Sequence, residues 1–467
     1  MMILRRAPGR ALVGLVAVAV LVAAQPHPLR PDVRPPGFRA DVLVTGGSPS
    51  GVAAAVAAAR EGMVVVLVEP RPFLGTVWTG AMLNMMDLNR LRDGRVLNRG
   101  IFEEMYRRLG GVTFDPRRAR QALLALVEAE PGLTLLLTTA LRRPLVESGR
   151  VIGAVVRLPE GSEVAVVATV TVDATDDGDL AAAAGVPFTI GRETLGPDHR
   201  TMPATLMFRV GDLDWPALVA YANAHRRGRQ PSGVLNGYVW GFRRLMYDYR
   251  PEDPGLSAHD LNIGRLPDGT AFINALQVHD LDATDRAARL DAYLRAKREV
   301  PNLVEYLRVN VAGFARAQLL EVAPELYIRE SRHLRGLYTL TAQDIVYETR
   351  FWDRVGAASY PIDLHQYVPG EQYPYRPVRH PYTIPLRALI PIGTDGLFVA
   401  SRAFSATFEA AGSARVVPTT VVMGQATGVA AAVCVDARVT PHELAERRDL
   451  VREVQRRLVR SGAVIDF

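Results

Sequence analysis

The sequence has few of the residues that form cross-links and metal clusters. Cys434 is its one cysteine, which excludes an intrachain disulfide, a Cys-x-x-Cys redox pair and a cysteine-ligated metal cluster. Lys297 is its one lysine, so no other position could form a Schiff base. Its nine histidines include no pair with the spacing of metal ligands. We therefore expect no metal site, and we expect Cys434 to pack as a small buried hydrophobic side chain.

Positive charge exceeds negative charge, but it is not concentrated in one stretch. The net charge of +6 comes from 55 basic and 49 acidic residues, and the arginines are interleaved with the acids along the chain. A nucleic-acid-binding face would group its basic residues, so we expect no nucleic-acid partner. A chain of 467 residues with 48% hydrophobic residues can bury a large core, and this length favours two domains.

The N-terminus has the features of an export signal. Arg5, Arg6 and Arg10 precede an apolar run over residues 11–24, which ends in small residues before Gln25. The run is shorter than the roughly 20 residues of a membrane span. We predict a signal peptide over 1–24, a Pro-rich linker over 25–38 and export to the periplasm or beyond the cell, with membrane contact only through this segment. An uncleaved anchor remains the alternative, and Arg5-Arg6 leaves twin-arginine export open.

Residues 40–70 have the order strand, glycine turn, helix, strand and acid, and the rest of the chain is organised around them. The apolar run 42–44 leads into Gly46 and Gly47, which permit a tight turn and a close approach of backbone to a pyrophosphate. Gly51 lets the following Ala-rich helix lie close to the sheet, with its positive dipole end towards the phosphates. This order predicts a dinucleotide-binding βαβ unit.

The second strand of this unit ends in Glu69, which can accept hydrogen bonds from the two hydroxyls of an adenosine ribose. A carboxylate there disfavours a 2'-phosphate, so NADP fits less well. The candidate cofactor-binding residues of the unit are Gly46, Gly47, Ser48, Pro49, Ser50, Gly51, Glu69 and Pro70.

The remaining pattern divides the chain into an interrupted nucleotide-binding domain and an insertion. We predict the first part of the nucleotide domain over 39–185, a substrate domain over 186–375, the second part over 376–436 and a C-terminal helix over 437–467. Within these we expect helices over 284–300, 302–322 and 419–435, a loop with little regular structure over 361–391, and one last helix from Thr440 to Arg460 that starts with a capping box.

Four blocks of the sequence together resemble the FAD-dependent oxidoreductase family with a glutathione-reductase-like fold. They cover residues 46–51, 172–180, 327–332 and 397–428, and the first reads GGxxSG where family members carry GGxxAG. The resemblance implies an α/β fold: a Rossmann-like FAD-binding domain, with a parallel sheet and a β-meander, and an inserted α+β substrate domain. It also implies that FAD is bound without a covalent bond, because no histidine lies near the first loop.

The resemblance implies further cofactor contacts. The helix after Arg415 would point its N-terminus at N1 and the C2 oxygen of the flavin. Family members usually have glycine where this chain has Thr76, Asp176 and Ser401. The implied cofactor-binding residues are Gly75 and Thr76 near the phosphates, Ala174, Thr175 and Asp179 in the second turn, Ala400, Ser401 and Arg402 on the ribityl side, and Gly424 in the late helix.

Four residues are candidates for the chemistry on the substrate. Arg415 can hold a carboxylate or an oxyanion with two parallel hydrogen bonds, or can form a structural ion pair. Arg332 belongs to the block 327–332, whose role is catalytic or structural. His365 is a candidate general base and Tyr382 a candidate proton donor, although a lone histidine is more often a satisfied structural residue.

The function we expect is hydride transfer between a small organic substrate and FAD, with an electron acceptor that the sequence does not identify. Two alternatives come from other classes of protein. A non-catalytic escort protein on the same fold would need neither the glycine turn nor the flavin-side helix. An NAD-dependent dehydrogenase would have no reason for the glycine-rich segment near the C-terminus.

Overall fold

The structure is a computed structural model that describes residues 37–467 except 194, 195, 197, 226–231, 236 and 372–375. The predicted signal peptide and most of the predicted linker lie outside the described residues. The strands are β1 (Phe38–Thr45), β2 (Val65–Glu69), β3 (Leu133–Leu137), β4 (Ala140–Glu147), β5 (Arg150–Arg157), β6 (Glu163–Asp173), β7 (Phe188–Ile190), β8 (Ala204–Thr205), β9 (Phe208–Gly211), β10 (Gly233–Leu235), β11 (Tyr238–Trp240), β12 (Leu256–Arg265), β13 (Ala271–Val278), β14 (Gln318–Val322), β15 (Arg332–Leu334), β16 (Arg354–Ala358), β17 (Tyr382–Pro385) and β18 (Leu397–Val399).

The helices connect these strands or cover the sheets. They are α1 (Pro49–Arg60), α2 (Thr76–Thr79), α3 (Ile101–Leu109), α4 (Pro116–Glu128), α5 (Asp179–Ala183), α6 (Trp215–Ala224), α7 (Arg243–Asp248), α8 (Arg286–Asn310), α9 (Ala342–Val346), α10 (Phe408–Ala414), α11 (Val417–Ala437), α12 (Pro441–Glu446) and α13 (Arg448–Arg460), with a 3-10 helix over Leu386–Leu389.

The first sheet is mixed and holds the predicted βαβ unit. Its strand order is β3-β2-β1-β6-β5-β4, and β18 pairs with the C-terminal end of β6. Strands β1, β2, β3, β6 and β18 are parallel, whereas β4 and β5 are antiparallel to their neighbours. The central strands are buried along most of their length, as expected for parallel strands that are covered on both faces. The prediction of a parallel sheet around residues 40–70 is confirmed.

Helix α1 begins directly behind the glycine turn, because local residues end the strand and start the helix. Ser48 is the N-cap and its Oγ accepts a hydrogen bond from Gly51 N at 3.1 Å. Pro49 occupies the first turn, where its missing N–H has no cost. A Cβ on Gly51 would lie 1.9 Å from the carbonyl oxygen of Gly46, so the turn requires glycine there.

Helix α11 packs against α1 at the same end of the first sheet. It is buried from Pro418 to Cys434. Small residues make the close contact possible, since a Cβ on Gly424 would lie 2.1 Å from Ser50 O and one on Gly428 would lie 2.2 Å from Ala54 O. Among the described helices α11 has the length and hydropathy of a membrane span, but 83% of its most apolar window is buried in the protein. Its burial is therefore that of a core helix in a folded protein.

The second sheet is antiparallel and lies within the predicted insertion. Its strand order is β10-β11-β12-β13-β9-β14, with β8 paired to β13. The long helix α8 covers it through buried residues that include Val300, Leu303 and Leu307. This sheet has its own hydrophobic core, which is separate from the core of the first sheet.

The first of the two predicted helices in the insertion is confirmed, and the second is wrong after Asn310. Residues 286–310 form a single helix, α8, which continues through Pro301. The chain then turns at Gly313, whose φ is +92°, and residues 318–322 form the exposed edge strand β14 beside β9. Pairing with a strand about a hundred residues earlier overrides the local helical pattern.

Two other predictions of secondary structure need correction. The segment 361–391 contains β17 and the 3-10 helix Leu386–Leu389. The last helix is divided into α12 and α13, because Arg447 has the extended angles φ −99° and ψ 98°. The capping box of Thr440 and Glu443 is confirmed, and Cys434 is fully buried as expected.

Candidate functional site

A cavity with about 610 Å³ of empty space lies where the N-termini of α1 and α11 meet the turn after β18. Ser48, Pro49 and Ser50 line it from the α1 side. Ser401 and Arg402 line it after β18, and the segment 415–420 contributes from the start of α11. Two of the predicted cofactor segments, which are more than 300 residues apart in sequence, therefore face one space.

The N-terminus of α11 presents unsatisfied positive partial charge to this cavity. The helix has 21 residues and no side chain caps its first N–H groups. Its dipole therefore favours an electron-rich group at this end. The Nε atoms of Arg402 and Arg415 are also buried without a hydrogen-bond partner.

Arg402 is held by two acids at the cavity wall. Its Nη2 donates to Asp177 Oδ1 at 2.6 Å, and its Nη1 lies 3.6 Å from Asp176 Oδ1. Burial alone would raise the pKa of Asp177, but the guanidinium groups of Arg402 and Arg289 lower it to about 2. Asp177 also accepts a hydrogen bond from Ser331 Oγ at 2.6 Å, so this carboxylate joins the first sheet to the insertion.

Glu69 fixes the shape of the glycine turn. Its Oε2 accepts from Gly47 N at 2.6 Å, and its Oε1 accepts from Arg71 N at 2.9 Å. Burial raises the pKa of the Glu69 carboxyl, although the nearby guanidinium of Arg71 opposes that effect. Pro70 follows the buried strand and is itself exposed. The acid predicted to contact a ribose therefore also has a structural role.

The other two predicted turns lie beside the first one. Gly75 and Thr76 have φ values of +100° and +25°, so Thr76 keeps a positive φ without being glycine. Ala174 O accepts a hydrogen bond from Ser48 Oγ at 3.0 Å. Thr175 is fixed by Asp173, whose Oδ1 accepts from both its N and its Oγ1. Ala400 and Gly424 are buried and are not among the residues that line the cavity.

A second cavity, with about 2000 Å³ of empty space, lies between the second sheet and the segment 360–366. It adjoins the first cavity at a junction of six residues that line both. We call these six the junction residues: Leu83, Met85, Asp87, Tyr327, Arg329 and Arg415.

Arg415 and Arg329 meet at Tyr327. Arg415 Nη1 donates to Tyr327 Oη at 3.1 Å, and the guanidinium of Arg329 lies 4.6 Å from the centre of the Tyr327 ring. Arg329 Nη1 also donates to Pro203 O and Thr205 Oγ1, at 2.8 and 2.7 Å. Burial lowers the pKa of Arg329 to about 10, so it keeps its charge at neutral pH.

Asp87 is a junction residue that the sequence analysis missed. The residue is exposed to the space of the two cavities that it lines. Burial and the nearby Asp363 raise its pKa to about 6, although Arg415, Tyr360 and Arg329 act in the opposite direction. A carboxyl with this pKa can accept a proton near neutral pH. The signal in the sequence was weak, since Asp87 simply follows Met85-Met86 in a loop.

His365 lines the second cavity but not the first. Its Nδ1 lies 3.0 Å from Gln277 Nε2, and its Nε2 lies 3.6 Å from Asp363 Oδ2. Burial, followed by the charge of Arg329, holds the pKa of His365 well below 6.5. The imidazole is therefore neutral at physiological pH and a weak proton acceptor.

Three predicted site residues that line neither cavity are bonded to other parts of the protein instead. Arg332 Nη1 donates to Asp179 Oδ1 at 2.8 Å, which forms a structural ion pair between the two residues. Tyr382 is fully buried and its hydroxyl bonds Ser413 Oγ at 2.7 Å. These bonds engage Arg332 and Tyr382 inside the protein, contrary to the expectation that they act on substrate, whereas the cofactor contact of Asp179 stays a prediction.

Comparisons with known proteins agree on one family. A family model described as FAD dependent oxidoreductase matches residues 41–458. A comparison with curated protein sequences gives no match. Among solved structures the chain is similar to a geranylgeranyl bacteriochlorophyll reductase-like protein from Thermoplasma acidophilum, with 13% identity, a TM-score of 0.44 and coverage of 91% of this chain and 84% of that one.

Two other solved structures are similar at the same level. The myxobacterial chondrochloren halogenase CndH has 14% identity and a TM-score of 0.45, with 91% of this chain and 80% of that one covered. The flavin-dependent brominase Bmp2 has 11% identity and a TM-score of 0.43, with 88% and 83% covered. These identities are too low for the activities of those proteins to be transferred to this chain.

Proposed function

The chain belongs to the FAD dependent oxidoreductase family, and we propose that it transfers hydride between a small organic substrate and non-covalently bound FAD. Family membership makes the chain an enzyme with FAD as its cofactor, on an α/β FAD-binding fold with a mixed parallel sheet. The observation that carries the proposal of hydride transfer is the junction. There the first cavity, which suits the cofactor, adjoins the larger second cavity, and Asp87 lies between them as a proton acceptor.

The first cavity fits FAD. The two helices beside it require glycine at Gly51 and Gly424, where a Cβ would lie 1.9 Å from Gly46 O and 2.1 Å from Ser50 O, and two helix N-termini and two unpartnered arginine Nε atoms face it. We propose that residues 46–51 hold the pyrophosphate and that Glu69 holds the adenosine ribose. Ser401 and Arg402 would contact the ribityl chain, and the start of α11 would face the isoalloxazine ring.

The proposal extends to a glutathione-reductase-like subtype of this fold. Strand β18 extends the parallel part of the sheet beside β6, while β4 and β5 form an antiparallel meander on the same side of β6. This arrangement supports the subtype that the sequence blocks suggest.

When bound, FAD supplies an acceptor for two electrons. The chain's own residues bind the substrate, exclude water and move the proton. Leu83 and Met85 give the junction apolar sides, which exclude water from the reacting carbon. Oxidation of a carbon that bears a hydroxyl or amino group releases one hydride and one proton, and we assign the acceptance of that proton to a carboxylate oxygen of Asp87. We assign the orientation of the substrate to Tyr327 and Arg415, which line the same junction.

The test is anaerobic reduction of the purified protein by candidate substrates. Hydroxy acids, sugars and amines would be added to the oxidised protein while the flavin absorbance is followed. A substrate should bleach the bands, and an Asp87→Asn variant should bleach about 10² to 10⁴ times more slowly. If the protein stays colourless with added FAD, the binding-protein and NAD alternatives replace this proposal. If it binds FAD and no compound class reduces it, hydride donation by a small organic substrate is wrong.

We also propose that the enzyme is exported, on the N-terminal pattern described above. Expression with the natural N-terminus in a bacterial host should give exported protein whose first residue is Gln25. Full-length protein in the membrane fraction would instead support an uncleaved anchor, and full-length soluble cytoplasmic protein would contradict export.

A further inference from the structure

Two buried guanidinium groups at the junction have no carboxylate partner within 4 Å among the described residues. Arg329 and Arg415 are 4% and 8% exposed, and neither forms a salt bridge. The oxygens that they contact belong to uncharged groups of the backbone, of Thr205 and Asn274 and of Tyr327. A buried charge without an opposite charge is costly, so these two differ from ordinary structural arginines.

Other buried arginines in the described part of the chain show the usual arrangement. Arg192 pairs with Asp198 at 2.5 Å, and Arg402 pairs with Asp177 at 2.6 Å. Arg243 is exposed but also lines the second cavity, and it forms two hydrogen bonds to Asp260, at 3.0 and 2.9 Å. Among the buried arginines of the described residues, the two without a carboxylate partner are therefore those at the junction.

Tyr327 holds both guanidinium groups in place. Its ring lies under Arg329 and its hydroxyl accepts from Arg415. Arg415 keeps its Nε free of any protein partner, although that atom is buried. Arg415 therefore still has an N–H group without a protein acceptor, at the junction where the guanidinium groups of Arg329 and Arg415 both line the cavity.

We propose that this pair of arginines binds the carboxylate of an organic acid, and that the substrate of the enzyme is such an acid. The inference rests on the proposed function, since it gives the substrate class for the same site. Guanidinium binds carboxylate with charge-assisted, often paired, hydrogen bonds.

The surroundings of the pair favour a monoanion with an organic body. Asp87 and Asp363 also line the second cavity, so a phosphate dianion would meet two like charges there. Leu83, Met85 and Trp240 give part of the cavity an apolar or aromatic surface that suits the carbon skeleton of an acid. A monocarboxylate matches both the acidic residues, which disfavour a dianion, and the apolar surface, which suits a carbon skeleton.

Calorimetric titration of the FAD-loaded protein tests this inference without turnover. Three matched pairs of probes would be used: acetate and acetamide, cyclohexanecarboxylate and cyclohexanecarboxamide, and 3-phenylpropanoate and its amide, with inorganic phosphate as a further anion. We expect at least one carboxylate to bind about tenfold or more tightly than its amide and than phosphate.

The variants identify the groups responsible. Arg415→Gln should weaken carboxylate binding about tenfold to a hundredfold and leave amide binding unchanged, with partial recovery in Arg415→Lys. Arg329→Gln should also weaken carboxylate binding. If Arg329→Gln unfolds because it loses the bonds to Pro203 and Thr205, Arg415→Gln still tests the inference. Arg243→Gln is the control at an exposed, acid-paired arginine of the same cavity, and it should change carboxylate affinity less than about twofold.

The outcomes separate this inference from the proposed function. Equal affinity for acids and amides in all three pairs, no binding of any probe, tighter binding of phosphate, or full carboxylate affinity in Arg415→Gln would overturn the inference, even if a neutral compound bleaches the flavin. Selective carboxylate binding to a protein that no organic compound reduces would keep the inference and contradict the hydride transfer.

Discussion

Gly424 of α11 packs directly on Ser50 of α1, so that a Cβ on Gly424 would lie 2.1 Å from the Ser50 carbonyl oxygen. This contact brings together two helix N-termini from opposite ends of the sequence. Both then face the cavity that we assign to FAD. The cofactor site therefore depends on how closely these two helices approach.

The first prediction is that Gly424→Ala loosens the cofactor site. The added methyl group must push α11 away from α1, and overpacking of this kind costs about 1–3 kcal/mol of unfolding free energy. Thermal unfolding should shift to lower temperature and FAD affinity should fall. Gly211→Ala is the control, because its Cβ would meet only the end of the Leu320 side chain, at 3.0 Å, in the second sheet. Equal FAD affinity in both variants would contradict the role of the helix contact.

The second prediction concerns pH. Asp87 accepts a proton only when ionised, and desolvation by the surrounding protein, followed by the charge of Asp363, raises its pKa to about 6 against the opposing effects of Arg415, Tyr360 and Arg329. The kcat/KM should therefore rise with pH through about 6 and level off above it. In Asp87→Asn this rise of kcat/KM near pH 6, the acid limb of the profile, should disappear, and kcat/KM should be lower at every pH.

Stability and a second variant serve as controls for the pH profile. Because the folded-state pKa of Asp87 is raised, its contribution to stability is present at low pH and is lost as pH rises through about 6. Asp87→Asn should therefore unfold at no lower temperature than the parent at pH 8. His365→Asn should keep the limb near pH 6, since the pKa of His365 lies well below 6.5. Loss of the limb in His365→Asn instead would make the histidine the base.

The third prediction tests the structural role of Glu69. Glu69→Gln keeps one acceptor for Gly47 N but weakens the contact with Arg71 and leaves fewer acceptors for a ribose. Stability should fall by about 1–3 kcal/mol, and FAD affinity should fall with it. Denaturant unfolding and fluorescence titration with FAD measure the two effects. An unchanged FAD affinity would remove Glu69 from the ribose site.

The fourth prediction tests the corrected position of Tyr382. Its hydroxyl bonds Ser413 inside the protein, away from both cavities. Tyr382→Phe should lower the free energy of unfolding by about 0.5–1.5 kcal/mol and leave kcat and its pH profile unchanged. A loss of kcat of tenfold or more in a folded variant would restore Tyr382 as a proton donor.

The parts of the fold that could be predicted are those specified by neighbouring residues. Gly46, Gly47 and Gly51 with their apolar flanks predict the βαβ unit, because a turn, a cap and a buried strand are local requirements. Strand β14 could not be predicted, since its conformation depends on pairing with β9. The local pattern of residues therefore predicts a helix or strand well only where pairing with a distant strand does not override it.

The same limit applies to the site. The cofactor turns carry a recognisable order of residues, whereas Asp87, Arg329 and Arg415 become neighbours only through folding. A buried arginine without an acid partner cannot be recognised in a sequence in which arginine is frequent. Nothing in the sequence around Tyr382 indicates that its hydroxyl would meet Ser413.

The central claim is that the helices α1 and α11 form one FAD site, and the most direct measurement is the stoichiometry and affinity of FAD. The protein, stripped of cofactor and titrated with FAD, should bind one FAD per chain with visible flavin absorbance, and Gly424→Ala should bind it more weakly. Saturation far from one per chain, no binding, or binding that Gly424→Ala leaves unchanged would contradict the claim.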